Sequence, residues 1–365
     1  MLSSQFLIDQ KQCCGNGCMM CPYEPQHIQG NQQLQKRWNQ SEKKSYTTHM
    51  NKINIPMIGL GTWLIPNDEA ESITKDAINL GYKHIDTAQV YQNEEGIGNS
   101  LKSLAVPRNE IYITTKMWPG MFNQEEPFQT FDGAIKACEQ SLKLLQVDEI
   151  DLYLIHNPFA KENRLELWEA MIELKKQGKA KHIGVSNYNV HHIKEIEAAG
   201  IEIPSANQIE IHPWHVVTKS LAEYMDKNEI LPIAYSTLAP IPNWREGSRW
   251  NGKPEDMKSG AMPCEDIANK YGVTVPQLFL KWAIQLGYPV LPKSVKYDRL
   301  KENLSLDHFE ISLDDMTSIS NIAIDEQKCL AWSGDFDPLE LSLIHISEPT
   351  RPERIGVGGV GGEKK

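Results

Sequence analysis

From about residue 52 onward, short apolar runs alternate with longer amphipathic stretches. The runs are His84-Ile85-Asp86-Thr87-Ala88, residues 111–116, residues 150–156, His182-Ile183-Gly184-Val185-Ser186, Asn207-Gln208-Ile209-Glu210-Ile211, residues 231–236 and Pro289-Val290-Leu291-Pro292-Lys293. An eighth is expected near 306–311. Runs this short, rich in β-branched residues and apolar on both faces, read as strands of a parallel sheet covered on both sides. The stretches between them carry a helical period. Ala70, Ile73, Ala77, Ile78 and Leu80 share one face, with Asn67 or Asp68 as N-cap and Gly81 as C-cap. Further helices are expected at 94–104, at 131–145, from Leu165 to Gly178, and from Ser312 to about Ile322. Eight β/α units predict an α/β fold, a (β/α)8 TIM barrel. Ahead of it, Ile53 to Ile58 reads as a hairpin strand entering the glycine turn Gly59-Leu60-Gly61. Asn51-Lys52 would be that hairpin's turn, giving an N-terminal β-hairpin.

The flanks follow a different pattern. Residues 1–45 are polar, rich in Gln and Asn, and hold Cys13, Cys14, Cys18 and Cys21 within nine positions. The spacing of Cys14, Cys18 and Cys21 suits convergence of thiolates on a soft cation such as zinc, and equally an unstructured tail with oxidisable thiols. The expected organisation is a Cys-rich extension over 1–45, a barrel over 46–325, a truncated C-terminal segment over 326–340 and a non-native tail over 341–365.

Composition narrows the function. The 365 residues are 40% hydrophobic and 23% charged, with a formal net charge of −11. That balance, without a basic stripe, argues against nucleic acid as a partner. No apolar run reaches the ~18 residues of a spanning helix, so no membrane is expected. Cys138, Cys264 and Cys329 are scattered, which fits reduced thiols and a cytoplasmic location. A monomer acting on a small molecule is the expectation.

Chemistry gathers at the strand ends. Asp86 and Tyr91 follow one run, Lys116 ends the next, and His156 ends the third. Barrels of this kind place their active sites at the carboxyl ends of the strands. An acid, a phenol, an amine and an imidazole on successive strand ends read as one site.

Residues ~50–340 resemble an aldo-keto reductase. The matches are GLGTW at 59–63, DTAxxYxNE at 86–94, ITTKMW at 113–118, DLYLIH at 151–156, IGVSN at 183–187, QIEIHP at 208–213, YSTL at 235–238 and LPKSV at 291–295. The resemblance implies reduction of aldehydes or ketones to alcohols by hydride from NADPH. In it Tyr91 is the general acid, Lys116 lowers the Tyr91 pKa by its charge, Asp86 holds Lys116, and His156 orients the carbonyl. A non-catalytic nucleotide-binding regulatory subunit on the same barrel is the alternative, because fold alone does not separate the two.

The resemblance also implies cofactor contacts. Gly61, Thr62 and Asp86 lie beside the cofactor, and Ser186, Asn187 and Gln208 face the nicotinamide carboxamide. Tyr235 stacks on the nicotinamide ring. Ser236 and Leu238 meet the pyrophosphate. Lys293, Ser294 and Arg299 surround the adenosine phosphate, and Glu302 and Asn303 face adenine. Trp63, Trp118 and His156 would line an apolar or aromatic substrate pocket. Gly59-x-Gly61 is not a dinucleotide fingerprint, since no βαβ unit frames it. The family usually has Pro at the position of Thr237 and Gly near Ala239. The first flank resembles the CCGNGCxxCPY signature of a small domain of unknown function. The run 341–351 resembles a translated sequencing adapter, so it is set apart from the fold.

Overall fold

A computed structural model describes residues 53–104, 106–120, 129–241, 264–322 and 329–331. The cysteines at 13–21, the Asn51-Lys52 turn and the tail from 332 lie outside the described residues.

Seven strands pair in sequence order: β1 (Leu60–Gly61), β2 (His84–Asp86), β3 (Tyr112–Met117), β4 (Ile150–Ile155), β5 (Ala180–Ser186), β6 (Ala206–Glu210) and β7 (Leu231–Tyr235). Every pairing is parallel. Val290 completes the ring, bridging Ala234 on one side and Ile58 on the other, both parallel. Gly59 and Gly61 N–H donate to the Val290 and Pro292 carbonyls at 2.9 and 3.1 Å. The eighth barrel position is therefore the Val290 run, and the (β/α)8 barrel closes on the chain just before β1.

Two expectations change here. Residues 306–311 form turns and irregular backbone, not a strand. Leu60–Gly61, read as part of a glycine turn after the hairpin strand, supplies the missing strand instead, pairing parallel within the barrel. Leu306, Phe309 and Ile311 are buried all the same, but against the outer core. Their apolar character reports burial without a ladder, which periodicity cannot distinguish over so few residues.

Ten helices carry the outer layer among the described residues: α1 (Asn67–Leu80), α2 (Glu94–Ser103), α3 (Phe131–Leu145), α4 (Arg164–Lys176), α5 (Val190–Ala198), α6 (Lys219–Lys227), α7 (Glu265–Tyr271), α8 (Val275–Gln285), α9 (Tyr297–Leu304) and α10 (Leu313–Ser320). Gly81 closes α1 at φ 112°, in the left-handed region that a C-cap requires. The N-cap of α1 is Pro66 and has no side-chain bond. Asn67 Oδ1 instead accepts from Gly96 N–H at 2.9 Å, tying α1 to α2. Leu165, where the sequence starts this helix, is exposed.

Strand alternation sorts the side chains. Ile85, Ile113, Tyr153, Ile183 and Val185 pack outward against the helices. The alternate positions Tyr112, Leu152, Leu154, Ala206, Leu231 and Ile233 form an inner cluster, joined by Leu291, Ile53 and Ile55. A step of two residues along each strand continues that inward face. From Leu154 it reaches His156, from Ala206 it reaches Gln208, and two such steps from Tyr112 reach Lys116. The barrel thus has an apolar plug at the amino end and polar groups at the carboxyl end.

Candidate active site

The polar groups above the plug are in contact. Lys116 Nζ lies 2.6 Å from Asp86 Oδ1 and donates to the Thr87 carbonyl at 2.7 Å. Both side chains of this ion pair are almost fully buried. Gln208 Nε2 donates to Asp86 Oδ2 at 2.7 Å. Asp86 thereby has a partner on each oxygen. Thr62 Oγ1 donates to the Asp86 carbonyl at 2.9 Å, fixing its backbone.

Tyr91 ends a short 3-10 turn after β2, Gln89–Tyr91. The turn is stopped by Gln92 in the left-handed region, φ 57°. This lays the Tyr91 ring 5.1 Å below Lys116 Nζ and 5.6 Å from the His156 ring, edge to face. Trp118 meets the other side of His156 at 5.1 Å, again edge to face. Trp118 is held there by its own N–H, which donates to Gln89 Oε1 at 3.1 Å. Trp118 is half-buried, as is Trp63 on the loop after β1.

Burial dominates the electrostatics. It pushes Asp86 up and Lys116 down, while the ion pair opposes both shifts. Burial, with the Lys116 charge second, pulls the His156 imidazole well below its ordinary value, so the ring is neutral. A neutral imidazole still has one N–H to donate. Tyr91 departs from expectation. Burial first, then the Asp86 charge, raises its hydroxyl well above the ordinary phenol range. The Lys116 ammonium, hydrogen-bonded to Asp86 and Thr87 and lying over the face of the Tyr91 ring, does not offset this rise. The phenol therefore keeps its proton.

Ser186, Asn187 and Tyr235 form a linked group beside His156. Asn187 Nδ2 donates to the His156 carbonyl at 3.0 Å and to Ser186 Oγ at 3.1 Å. Tyr235 Oη donates to Asn187 Oδ1 at 2.7 Å, and Ser186 Oγ donates to the Gln208 carbonyl at 2.8 Å. Asn187 and Ser236 both hold positive φ, 64° and 55°, as the chain leaves β5 and β7. Leu238 packs partly against the main core. Thr237 is buried with an unpartnered Oγ1, where the Pro usual in the family would bring no hydroxyl.

Lys293, Ser294 and Arg299 follow the Val290 run and enter α9. Ser294 is buried, and its Oγ accepts from Lys296 N–H at 3.0 Å. Lys293 and Arg299 are exposed, and among the described residues neither forms an ion pair. Glu302 accepts from Thr274 Oγ1 at 2.5 Å, and Asn303 is buried. Gly61 has a backbone reason for its identity: a Cβ there would stand 2.5 Å from the Leu291 carbonyl oxygen.

Two features were not singled out from the sequence. Gln89 orients Trp118, and Glu210 binds the distant residues Cys329, Leu330 and Ala331. A charged residue on the same strand face as Gln208 was the available signal for Glu210. Among the described residues no group of three His, Cys, Asp or Glu side chains is arranged to hold a metal, and no helix is long and apolar enough to cross a membrane.

Comparison with known proteins agrees with this geometry. The model of the aldo/keto reductase family matches residues 57–324. The glyoxal reductase of Bacillus subtilis (strain 168) is 37% identical over 278 residues, covering 76% of this chain and 92% of that protein. The methylglyoxal reductase DkgA of Escherichia coli (strain K12) is 36% identical over 270 residues, covering 73% and 90%. Among solved structures, a mutant of Gox0644 in complex with NADPH superposes with a TM-score of 0.64 at 35% identity, covering 78% of this chain and 93% of that one. A family match spanning the barrel, at these identities, makes this chain a member of the aldo/keto reductase family.

Proposed function

We propose that Asp86, Tyr91, Lys116 and His156 carry the carbonyl reduction of this NADPH-dependent reductase. The carrying observation is their convergence at one barrel mouth, with Tyr91 protonated and His156 neutral. When bound, NADPH supplies the hydride that reaches the carbonyl carbon. Tyr91 holds a proton in contact with His156 and Lys116 and delivers it to the carbonyl oxygen. Its raised pKa keeps that proton in place until negative charge develops on the substrate. The neutral His156 donates a hydrogen bond to the same oxygen, and Trp118 limits its tilt. Lys116, locked by Asp86 and Thr87, holds its charge over the face of the Tyr91 ring.

The residues present suit the cofactor. Among the described residues, Gln208 Oε1 accepts no hydrogen bond and faces the same site as Asp86. It is a free acceptor for a carboxamide N–H, with Ser186 and Asn187 beside it. Tyr235 offers a ring, and Lys293 and Arg299 offer exposed cations that form no ion pair among the described residues. Small 2-oxoaldehydes, named in the bacterial relatives, and apolar aldehydes suited to Trp63 and Trp118 are the proposed substrates. Among the described residues Cys138, Cys264 and Cys329 form no disulfide, which supports a reducing, cytoplasmic setting. The proposed unit is a monomer spanning residues 46–325 as its barrel. NADPH oxidation measured with glyoxal, methylglyoxal and an aromatic aldehyde tests the reading. Turnover with at least one is expected, and folded protein inert to all three would overturn it.

A further inference from the structure

Asn93 stands at the start of α2, where an asparagine usually accepts from the first helical N–H groups. Among the described residues its side chain caps none of them. It is fully buried and reaches out of the helix instead. Nδ2 donates to the Thr62 and Ile65 carbonyls, each at 2.9 Å. Oδ1 accepts from Thr87 Oγ1 at 2.7 Å. One amide thus spends both hydrogens and its oxygen on the two loops that leave β1 and β2.

The two carbonyls bracket Trp63 and Leu64. Ile65 N–H donates to the Thr62 carbonyl at 3.0 Å, which closes residues 62–65 into a tight turn. Leu64 holds the third position at φ 61°, in the left-handed region that favours glycine. Its side chain is 52% exposed, so burial does not offset that strain. Local sequence alone disfavours this turn, and the bonds from Asn93 hold it. Backbone strain kept in place by buried contacts beside an active site points to function.

The tie closes on the catalytic frame. Thr62 N–H and Oγ1 donate to the Asp86 carbonyl at 3.0 and 2.9 Å. Lys116 Nζ donates to the Thr87 carbonyl at 2.7 Å and to Asp86 Oδ1 at 2.6 Å. Asn93 therefore joins the turn that carries Trp63 to the peptide that holds Lys116, two residues after Tyr91. We propose that Asn93 is a positioning residue that fixes the Trp63–Leu64 turn against Thr87, and so sets the space between Trp63 and Tyr91 that a substrate side chain must fit. The proposal rests on the reductase reading above. An aldehyde with a large apolar group meets Trp63, whereas a small 2-oxoaldehyde is held mainly by its reacting carbonyl. Loss of the tie changes selectivity and leaves proton delivery by Tyr91 nearly as it was.

The full-length protein with Asn93→Ser, with Thr87→Val and with Thr87→Ser tests this. Serine caps a helix about as well as asparagine, so α2 keeps its start, but it is too short to reach the turn. Thr87→Val removes one hydroxyl at nearly constant shape and carries the test if Asn93→Ser does not fold. Thr87→Ser keeps the hydroxyl and should behave as the parent. Amide exchange at 62–65 should accelerate by about tenfold or more in Asn93→Ser and by about threefold or more in Thr87→Val, with exchange at 97–100 in α2 within about twofold. In both, KM for an aromatic aldehyde should rise about fivefold or more, KM for methylglyoxal less than about twofold, and kcat should change less than about threefold. Unchanged exchange at 62–65 would overturn the tie, as would a Thr87→Ser protein that matches Thr87→Val. Exchange raised equally in the turn and in α2 would reduce Asn93 to a support of the helix. Faster exchange in the turn with both KM values unchanged, or raised alike, would overturn its control of the pocket. An unmutated protein inert to every carbonyl would sink the reductase reading, while exchange at 62–65 still decides the tie.

Discussion

Gln208 Nε2 donates to Asp86 Oδ2 at 2.7 Å, joining residues 122 positions apart. Their strands, β6 and β2, are four places apart in a ring of eight and so face each other across it. The bond spans the barrel interior and leaves Asp86 with its second oxygen for Lys116. Neither partner has solvent to fall back on, so each contact of Asp86 is needed to keep the Lys116 ammonium charged.

Asp86→Asn should therefore cost both stability and activity. It removes the counter-charge of a Lys116 that is 1% exposed. Breaking a buried pair by removing one partner costs about 3–5 kcal/mol. Chemical denaturation measures the loss. A variant as stable as the parent would mean that Lys116 is not charged in the folded protein.

Tyr91→Phe should leave the fold and NADPH affinity intact and lower kcat about 10²–10⁴-fold. The ring contacts with Lys116 and His156 do not need the hydroxyl. Near-parental turnover by the variant would remove Tyr91 from the role of acid.

Gly61→Ala should destabilise the barrel. Its Cβ would meet the Leu291 carbonyl oxygen at 2.5 Å, and backbone on both sides of the contact belongs to the barrel ring. Overpacking of this kind costs about 1–3 kcal/mol. Thermal unfolding of the variant reads it directly, and an unchanged melting temperature would mean that the ring is looser than it appears at β1.

Arg299→Ala should weaken NADPH binding by about tenfold or more and leave NADH nearly unchanged. One hydrogen bond to a charged group contributes about 1.5–3 kcal/mol, and about 1.4 kcal/mol is tenfold. The site is exposed, so the effect should shrink at high salt. Equal affinity of the parent protein for NADH and NADPH would mean that Lys293 and Arg299 are simply solvated.

Acid stability should report Glu210. Its folded pKa, about 2, lies below the ordinary glutamate value. A depressed carboxylate adds stability that is complete above the unfolded pKa and disappears as pH falls through the folded one. The window is thus from about pH 5 down to about pH 2, and the contribution at neutral pH is about 3 kcal/mol, from about 1.4 kcal/mol per pKa unit. His212 Nε2 and Cys329 Sγ face the same carboxylate at 2.8 and 3.0 Å. Glu210→Gln should flatten the difference in stability between pH 5 and pH 2 when unfolding is followed at both values. An unchanged pH slope would show that Glu210 is not held low.

The order of strands and helices was largely legible in the sequence because it depends on local properties. Short apolar runs, the left-handed Gly81 and the helix that starts after Ser312 each depend on a few neighbouring residues, and Gly81 and Ser312 are where the sequence put those helix ends. The four groups Asp86, Tyr91, Lys116 and His156 were legible too, since strand ends of one barrel must converge. What needed tertiary structure was every choice between distant partners. Leu60–Gly61 became a barrel strand and 306–311 did not, because ring closure depends on which backbone reaches Val290 and not on local apolarity. The direction of the Tyr91 shift depended on how deeply the ring is buried and on the Asp86 charge beside it, which the packed barrel decides. Glu210 looked like one polar residue in a strand until Leu330 and Ala331 arrived with the N–H groups that a buried carboxylate needs.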